Sequence, residues 1–307
     1  MKIVVTGALG HIGSRLIREI TAIFPGSEIV MIDNLMTQRY ASLFNLPKGH
    51  VGRFMEGDIL KMDLGPALDG AVAVIHLAAI TDAANSFQIK DQVEEVNLRG
   101  ASRVAEACAK TGSPLIFIST TSVYGTQASL VDEDCPIEDL KPQSPYAESK
   151  LKAEQAIQAM CRKGDLRAVI FRFGTIFGTS PGMRFHTAIN KFCWQAVMGQ
   201  PITVWRTALK QMRPYLDLKD GVEAVLFSIR KSLFDGRVYN VVTCNTTVEE
   251  IVGIIRQHVT DLKIEHVDTQ IMNQLSYHVA SERIQKLGFQ YRGDLSTGIA
   301  ETIALIR

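Results

Sequence analysis

Residues 4–16 read VVTGALGHIGSRL, and the reading of this stretch decides the fold. Gly7, Gly10 and Gly13 stand between a β-branched run and the opening of a helical segment. One glycine lets the backbone turn sharply, a second lets a pyrophosphate approach the chain, and Gly13 lets helix pack on strand. The helix N-terminus then presents free N–H groups and a partial positive charge to a phosphate. Three glycines elsewhere in a chain could be no more than a turn. Directly after a first strand they predict a dinucleotide cradle. Asp33 ends the next apolar run, twenty residues after Gly13. A carboxylate there accepts hydrogen bonds from an adenosine ribose and repels a 2′-phosphate, which favours NAD over NADP.

Outward from the loop, short apolar runs alternate with helical stretches. The runs are KIVV (2–5), EIVMID (28–33), GRFMEGD (52–58), VAVIHLA (72–78), PLIFIS (114–119) and RAVIFRF (167–173). Runs apolar throughout predict strands buried on both faces, hence a parallel sheet covered by helices such as 11–24, 88–111 and 147–163. The alternation predicts an α/β doubly wound, Rossmann-like sheet. After residue 174 the rhythm changes: GTSPGMRF is a loop, 185–199 a helix, and a mixed region follows. We expect an NAD-binding domain over 1–174 and a smaller, interleaved substrate-binding domain over 175–307. RPYLDLKD and GRVYNVV, within about 213–245, are expected to return to the sheet.

Composition narrows the function classes. With 46% apolar and 21% charged residues, the chain can bury a sizeable core. A net charge of +1 without basic blocks leaves no nucleic-acid footprint. Apolar runs fall short of the ~18 residues of a membrane span. The N-terminus opens directly on strand-like sequence, which leaves no room for a cleaved signal peptide. Cys108, Cys135, Cys161, Cys193 and Cys244 are odd in number and far apart, so reduced, mostly buried thiols in a cytoplasmic protein are expected.

SPYAESK (144–150) sets Tyr146 and Lys150 four apart. The spacing recurs in YLDLK, Tyr215 to Lys219, so by itself it is weak. On a helix the first pair lies on one face, one turn apart. Tyr215 falls in a predicted strand, where residues four apart are ~13 Å distant, and its match is a coincidence. A phenol with a pKa near ~10 is a poor base at neutral pH, and a nearby ammonium favours its phenolate form.

TGALGHIG (6–13), DNL (33–35), GDI (57–59), HLAA (76–79), STTSVYG (119–125) and YAESK (146–150) occur in an order that resembles the extended short-chain dehydrogenase/reductases. The chain looks most like their NAD-dependent sugar-nucleotide epimerases and dehydratases. The resemblance runs over about residues 1–245, with echoes near ERIQKLGF (282–289). It implies a catalytic set of Thr120, Tyr146 and Lys150: the threonine holds a sugar hydroxyl, the tyrosine removes its proton, and the lysine also holds the nicotinamide ribose. Thr120 could instead satisfy backbone groups at a strand end. For the cofactor the resemblance implies Gly7, Gly10, His11, Ile12, Gly13, Asp33, Asn34, Leu35, Leu77, Ala78, Ala79 and Phe173, with Asp58 and Ile59 at the adenine and Asn97 supporting the site. For the substrate it implies Thr81, Thr120, Tyr146, Thr175, Arg184 and Arg213. No metal is required.

Three departures bear on the substrate. The dehydratases of the family carry an Asp-Glu pair after the catalytic threonine, where this chain has Thr121 and Ser122. That argues against 4,6-dehydration and toward reversible oxidation and reduction. Thr175 replaces an asparagine that commonly binds substrate phosphates, and TSPGMRFHT (179–187) is unusual in form. Arg213, in QMRPYLD, is expected on the pyrophosphate because its planar fork binds phosphate bidentately, and a surface ion pair is its alternative. Trp205 either stacks on a base or packs in the core. These readings imply C4 epimerisation of a UDP-hexose or related nucleotide sugar through a 4-keto intermediate. A nucleotide-sugar ketoreductase, a uronate decarboxylase and an NAD(H)-sensing binding protein stand as alternatives. A homodimer is expected, through the helices near 88–111 and 147–163.

Overall fold

A computed structural model describes residues 1–125, 130–267 and 276–307. Seven parallel strands form the central sheet. In spatial order they are Val238–Val241, Ala168–Phe173, Leu115–Thr120, Ala71–His76, Lys2–Thr6, Glu28–Asp33 and Val51–Glu56. Six coincide within two residues with the apolar runs of the sequence, and GRVYNVV supplies the seventh at one edge, paired with Ala168–Phe173. Five of the six runs are buried because both sheet faces are covered there, whereas Val51–Glu56, at the other edge, is mostly exposed, against expectation. Ile3 and Val5 join a core under the helices His11–Ile23 and Leu218–Lys231, while Val4 joins one under Gly100–Thr111 and Pro145–Lys163.

Strand order reverses between Lys2–Thr6 and Ala71–His76, and beyond their carboxyl ends lies the crevice where such sheets bind ligands. The helix Pro145–Lys163 begins in that region. Ser144 accepts from Ala147 N, and Pro145 occupies a first-turn position where its missing N–H costs nothing.

RPYLDLKD corrects an expectation. Met212–Asp217 does not rejoin the large sheet; it pairs with Thr175–Phe177 and Cys244–Thr247 in a three-stranded sheet. Tyr215 is buried there, and Lys219 belongs to the following helix. Around this sheet a separate core gathers Phe177, Phe192, Ile202, Val204, Ile251 and Ile303. Trp205 is 42% exposed, at the end of a strand paired only with Ile264–Val267 among the described residues, so it is not a core residue. Of the cysteines, all free, Cys108 and Cys193 are buried and the other three only partly. The expected helix over 88–111 runs without a gap through Lys90–Glu94, a wide π turn at Glu95–Arg99, and Gly100–Thr111. Among the described residues no helix is long and apolar enough to cross a membrane.

Candidate active site

The glycine loop is shaped by contacts that only glycine permits. Gly7 has φ +66°, and a Cβ on it would lie 2.6 Å from Ala78 N. A Cβ on Gly13 would meet the carbonyls of Gly7 and Ala8 at 2.6 Å, which seats the first helical turn on the loop. Gly10 is looser, its closest neighbour at 3.3 Å, and it lines the open side. Asp33 braces the loop: Leu9 N donates to Oδ2 at 3.1 Å and Leu35 N to Oδ1 at 2.9 Å.

These residues wall a cleft of about 500 Å³. Gly7, Gly10, His11, Ile12, Gly13, Asp33, Asn34, Asp58, Ile59, Leu77, Ala78 and Ala79 all line it, as do Thr81 and Arg184. Leu35 stands behind the wall, in a left-handed conformation that turns its N–H to Asp33. The cleft fits a dinucleotide. It has a cradle that a Cβ at Gly7 would distort, a helix N-terminus at the cradle, and a carboxylate at the end of the second strand.

A second cavity of about 330 Å³ adjoins the first and shares Ile12, Leu77, Ala79, Thr81 and Arg184 with it. Thr120, Tyr146, Lys150, Phe173 and Thr175 all line this cavity. Lys150 is 4% exposed, and its Nζ donates to Ile118 O at 2.8 Å. Burial pushes the ammonium down to about 8, against the support of Glu154 one turn along the helix. Burial holds the Tyr146 phenol above the ordinary value, and the Thr120 hydroxyl and the Arg184 guanidinium pull it back.

The polar groups behind this wall are mostly paired. Asn97, carried inward on the π turn, accepts from Ile80 N at 2.8 Å and donates to Ile80 O at 2.9 Å, with Ser149 Oγ at 3.2 Å. It supports backbone rather than lining either cavity. Thr6 accepts from Ala78 N and lies 2.7 Å from His76 Nδ1, which ties the strand ends beneath the cleft. Burial lowers His76 to about 3, so the ring is neutral. Glu154 forms a buried, forked ion pair with Arg172 at 2.7–3.2 Å, and Arg172 lies over the Tyr124 ring.

Arg213 stacks 5.7 Å from the Tyr277 ring centre, bonds Gln211, and is not among the residues that line the two cavities. Its strand runs in the second sheet beside Thr175–Phe177, whose Thr175 lines the smaller cavity. Sequence reasoning missed Arg39, Asp82, His186 and Thr187, which line one cavity or the other. His186 is lowered to about 4 by burial and by the nearby Arg184 charge. The signal for it was present, since His186 and Thr187 closely follow Arg184 on the unusual segment. Arg39 carried none.

The NAD dependent epimerase/dehydratase family matches residues 3–241. A trifunctional UDP-glucose 4,6-dehydratase/UDP-4-keto-6-deoxy-D-glucose 3,5-epimerase/UDP-4-keto-L-rhamnose-reductase of Arabidopsis thaliana is 29% identical, over 98% of this chain and 46% of its own length. The chain thus spans about half the length of that curated relative. MoeE5, solved in complex with UDP-glucuronic acid and NAD, is 27% identical with a TM-score of 0.85, covering 99% of this chain and 98% of that one. The UDP-glucuronic acid 4-epimerase of Bacillus cereus, solved with UDP-glucuronic acid and NAD, is 25% identical with a TM-score of 0.87, covering 100% of this chain and 99% of that one.

Proposed function

We propose a function from one premise: the chain belongs to the NAD dependent epimerase/dehydratase family. It epimerises a nucleotide sugar at C4, on a UDP-hexose or a related UDP-sugar, through a transient 4-keto sugar. The observation that carries this reading is the convergence of Thr120, Tyr146 and Lys150 on one cavity continuous with the dinucleotide cleft. Thr121 and Ser122 stand where a dehydratase has its acid pair. Asp82, the carboxylate in that wall, faces the positive Arg184 and lies near the His186 ring.

Thr120 fixes the 4-hydroxyl, and Tyr146 takes its proton as a general base, then returns a proton to the oxygen on the reverse step. Arg184 and Thr120 stabilise the phenolate. Lys150, held on Ile118 O, has two further hydrogens to offer a ribose. NAD, when bound, supplies the hydride acceptor and donor, and its positive ring adds to the field that favours phenolate. The homodimer expected from the sequence belongs to this reading, and a size measurement in solution tests it.

One observation favours a second reading of the sugar. Arg184 Nε, Thr81 Oγ1 and Thr187 Oγ1 are buried polar atoms without partners, all in the wall of the smaller cavity. Donors left open in this way suit a carboxylate, hence a UDP-uronate. A 4-keto uronate is a β-keto acid, so such a substrate also admits decarboxylation. Incubating the protein with UDP-hexoses and UDP-uronates, without added nicotinamide, and assigning products by proton NMR separates these outcomes. Tyr146→Phe should cut turnover by roughly 10²–10⁴ while NAD binding persists. Turnover near wild type in that variant, or a strict need for added NAD(P)H, refutes the mechanism.

A further inference from the structure

We propose that Arg39 clasps the segment 178–184 across the cofactor cleft, so that NAD is held as a resident group and not exchanged in each cycle. The purpose of the clasp rests on the epimerase reading; its geometry does not.

The segment is anchored from two sides. On one side, Gly182 N donates to Ser14 Oγ at 2.9 Å, and His11 Nε2 lies 3.0 Å from Gly178 O. Gly182 sits so close to the glycine loop that a Cβ would lie 2.3 Å from Leu9 O and 2.6 Å from Gly10 O. No other residue fits there without moving the cradle. On the other side, Arg39 reaches from the loop after Asp33, and its Nη1 donates to Gly182 O and, at 3.1 Å, to Met183 O. Arg39, Asp33, the glycine loop and Arg184 all face the same cleft. A dinucleotide lying along it is therefore bounded by two loops that Arg39 ties together.

Two consequences follow from the chemistry. An arginine close to the ribose carboxylate is well placed to grip a 2′-phosphate, but this guanidinium is engaged with backbone carbonyls, and gripping a phosphate would release the segment. The segment also delivers Arg184 to the second cavity, where its charge acts on Tyr146. Cofactor retention and the surroundings of the base thus share one latch. An enzyme that must return the hydride it has taken needs such retention, because a cofactor lost in mid-cycle leaves a keto sugar behind.

Arg39 is half-buried on a surface loop, and its removal leaves the core intact. The test compares wild type, Arg39→Ala and Arg39→Lys, each purified without added nucleotide. Bound NAD is quantified by chromatography after denaturation, and its exchange with isotopically labelled NAD is followed by mass spectrometry. Removing a charge-assisted contact should speed exchange in Arg39→Ala by roughly tenfold to a hundredfold. Arg39→Lys should fall between, since an ammonium is a point donor without the fork. Exchange in Arg39→Ala at the wild-type rate overturns the clasp. If wild type itself is isolated free of NAD, that counts against the epimerase reading. The clasp is then judged on calorimetric Kd for added NAD: weaker binding in Arg39→Ala supports it, and an unchanged Kd overturns it.

Discussion

Acid should open this protein at His11, and the effect can be worked from the structure. The ring is 4% exposed, with Nε2 3.0 Å from Gly178 O. Burial pushes the imidazole down to about 4; the Gly178 bond opposes this, and the positive Arg184 and Arg39 reinforce it. The folded protein therefore takes up no proton here until near pH 4, whereas the unfolded chain does so near 6.5. Between those values the unfolded state binds more protons. The stability due to neutral His11 is thus fully present above about 6.5 and is lost progressively as pH falls toward 4. The gap, at roughly 1.36 kcal/mol per pH unit, amounts to about 3 kcal/mol. His11→Gln keeps a donor for Gly178 O and removes the titration. Urea unfolding of both proteins, at steps from neutral pH to about 4, isolates the difference, because His76 and the carboxylates titrate alike in both. Wild type should lose about 3 kcal/mol more than the variant across that window. Parallel losses would refute the assignment of a buried neutral imidazole at this position.

Three other perturbations have defined outcomes. Gly7→Ala sets a methyl 2.6 Å from Ala78 N at a left-handed φ, so thermal melts should register a loss of about 1–3 kcal/mol and calorimetry a weaker affinity for NAD; wild-type values for both would contradict the cradle geometry. Glu154→Gln strands Arg172, which is 5% exposed, and should cost about 3–5 kcal/mol in denaturant unfolding, with Glu154→Gln/Arg172→Met recovering part of it; an unchanged midpoint would mean that the pair is not buried as described. Lys150 is protonated below about pH 8, so steps that need its ammonium should decline as pH rises through 8; a limb of the kcat profile displaced toward the ordinary lysine value of 10.5 would show that burial does not depress it.

Most of the large sheet and the centre of the site were legible because they are local. A strand buried on both faces must be apolar throughout, and a loop that turns at φ +66° against a neighbouring backbone must carry glycine at position 7. Tyr146 and Lys150 share a helix face by period alone. The failures lie where a residue's partner is remote in sequence. Nothing local in RPYLDLKD, four of whose eight residues are charged, names its partners, and Thr175–Phe177 and Cys244–Thr247 take it elsewhere. Arg213 goes with it into the three-stranded sheet. Trp205 has the composition of a core residue but ends an edge strand.

The surroundings of Tyr146 make the same point. Helical spacing sets Lys150 one turn away, where it donates to Ile118 O, and Arg184, thirty-eight residues downstream, adds a positive charge that favours the phenolate. That arginine is carried on a segment held by Ser14, His11 and Arg39, residues of the cofactor loops. Motif spacing identifies which residues can meet on one element. Which charge reaches the reacting atom depends on how loops from separate elements close over each other, and here that closure runs through the backbone of Gly182.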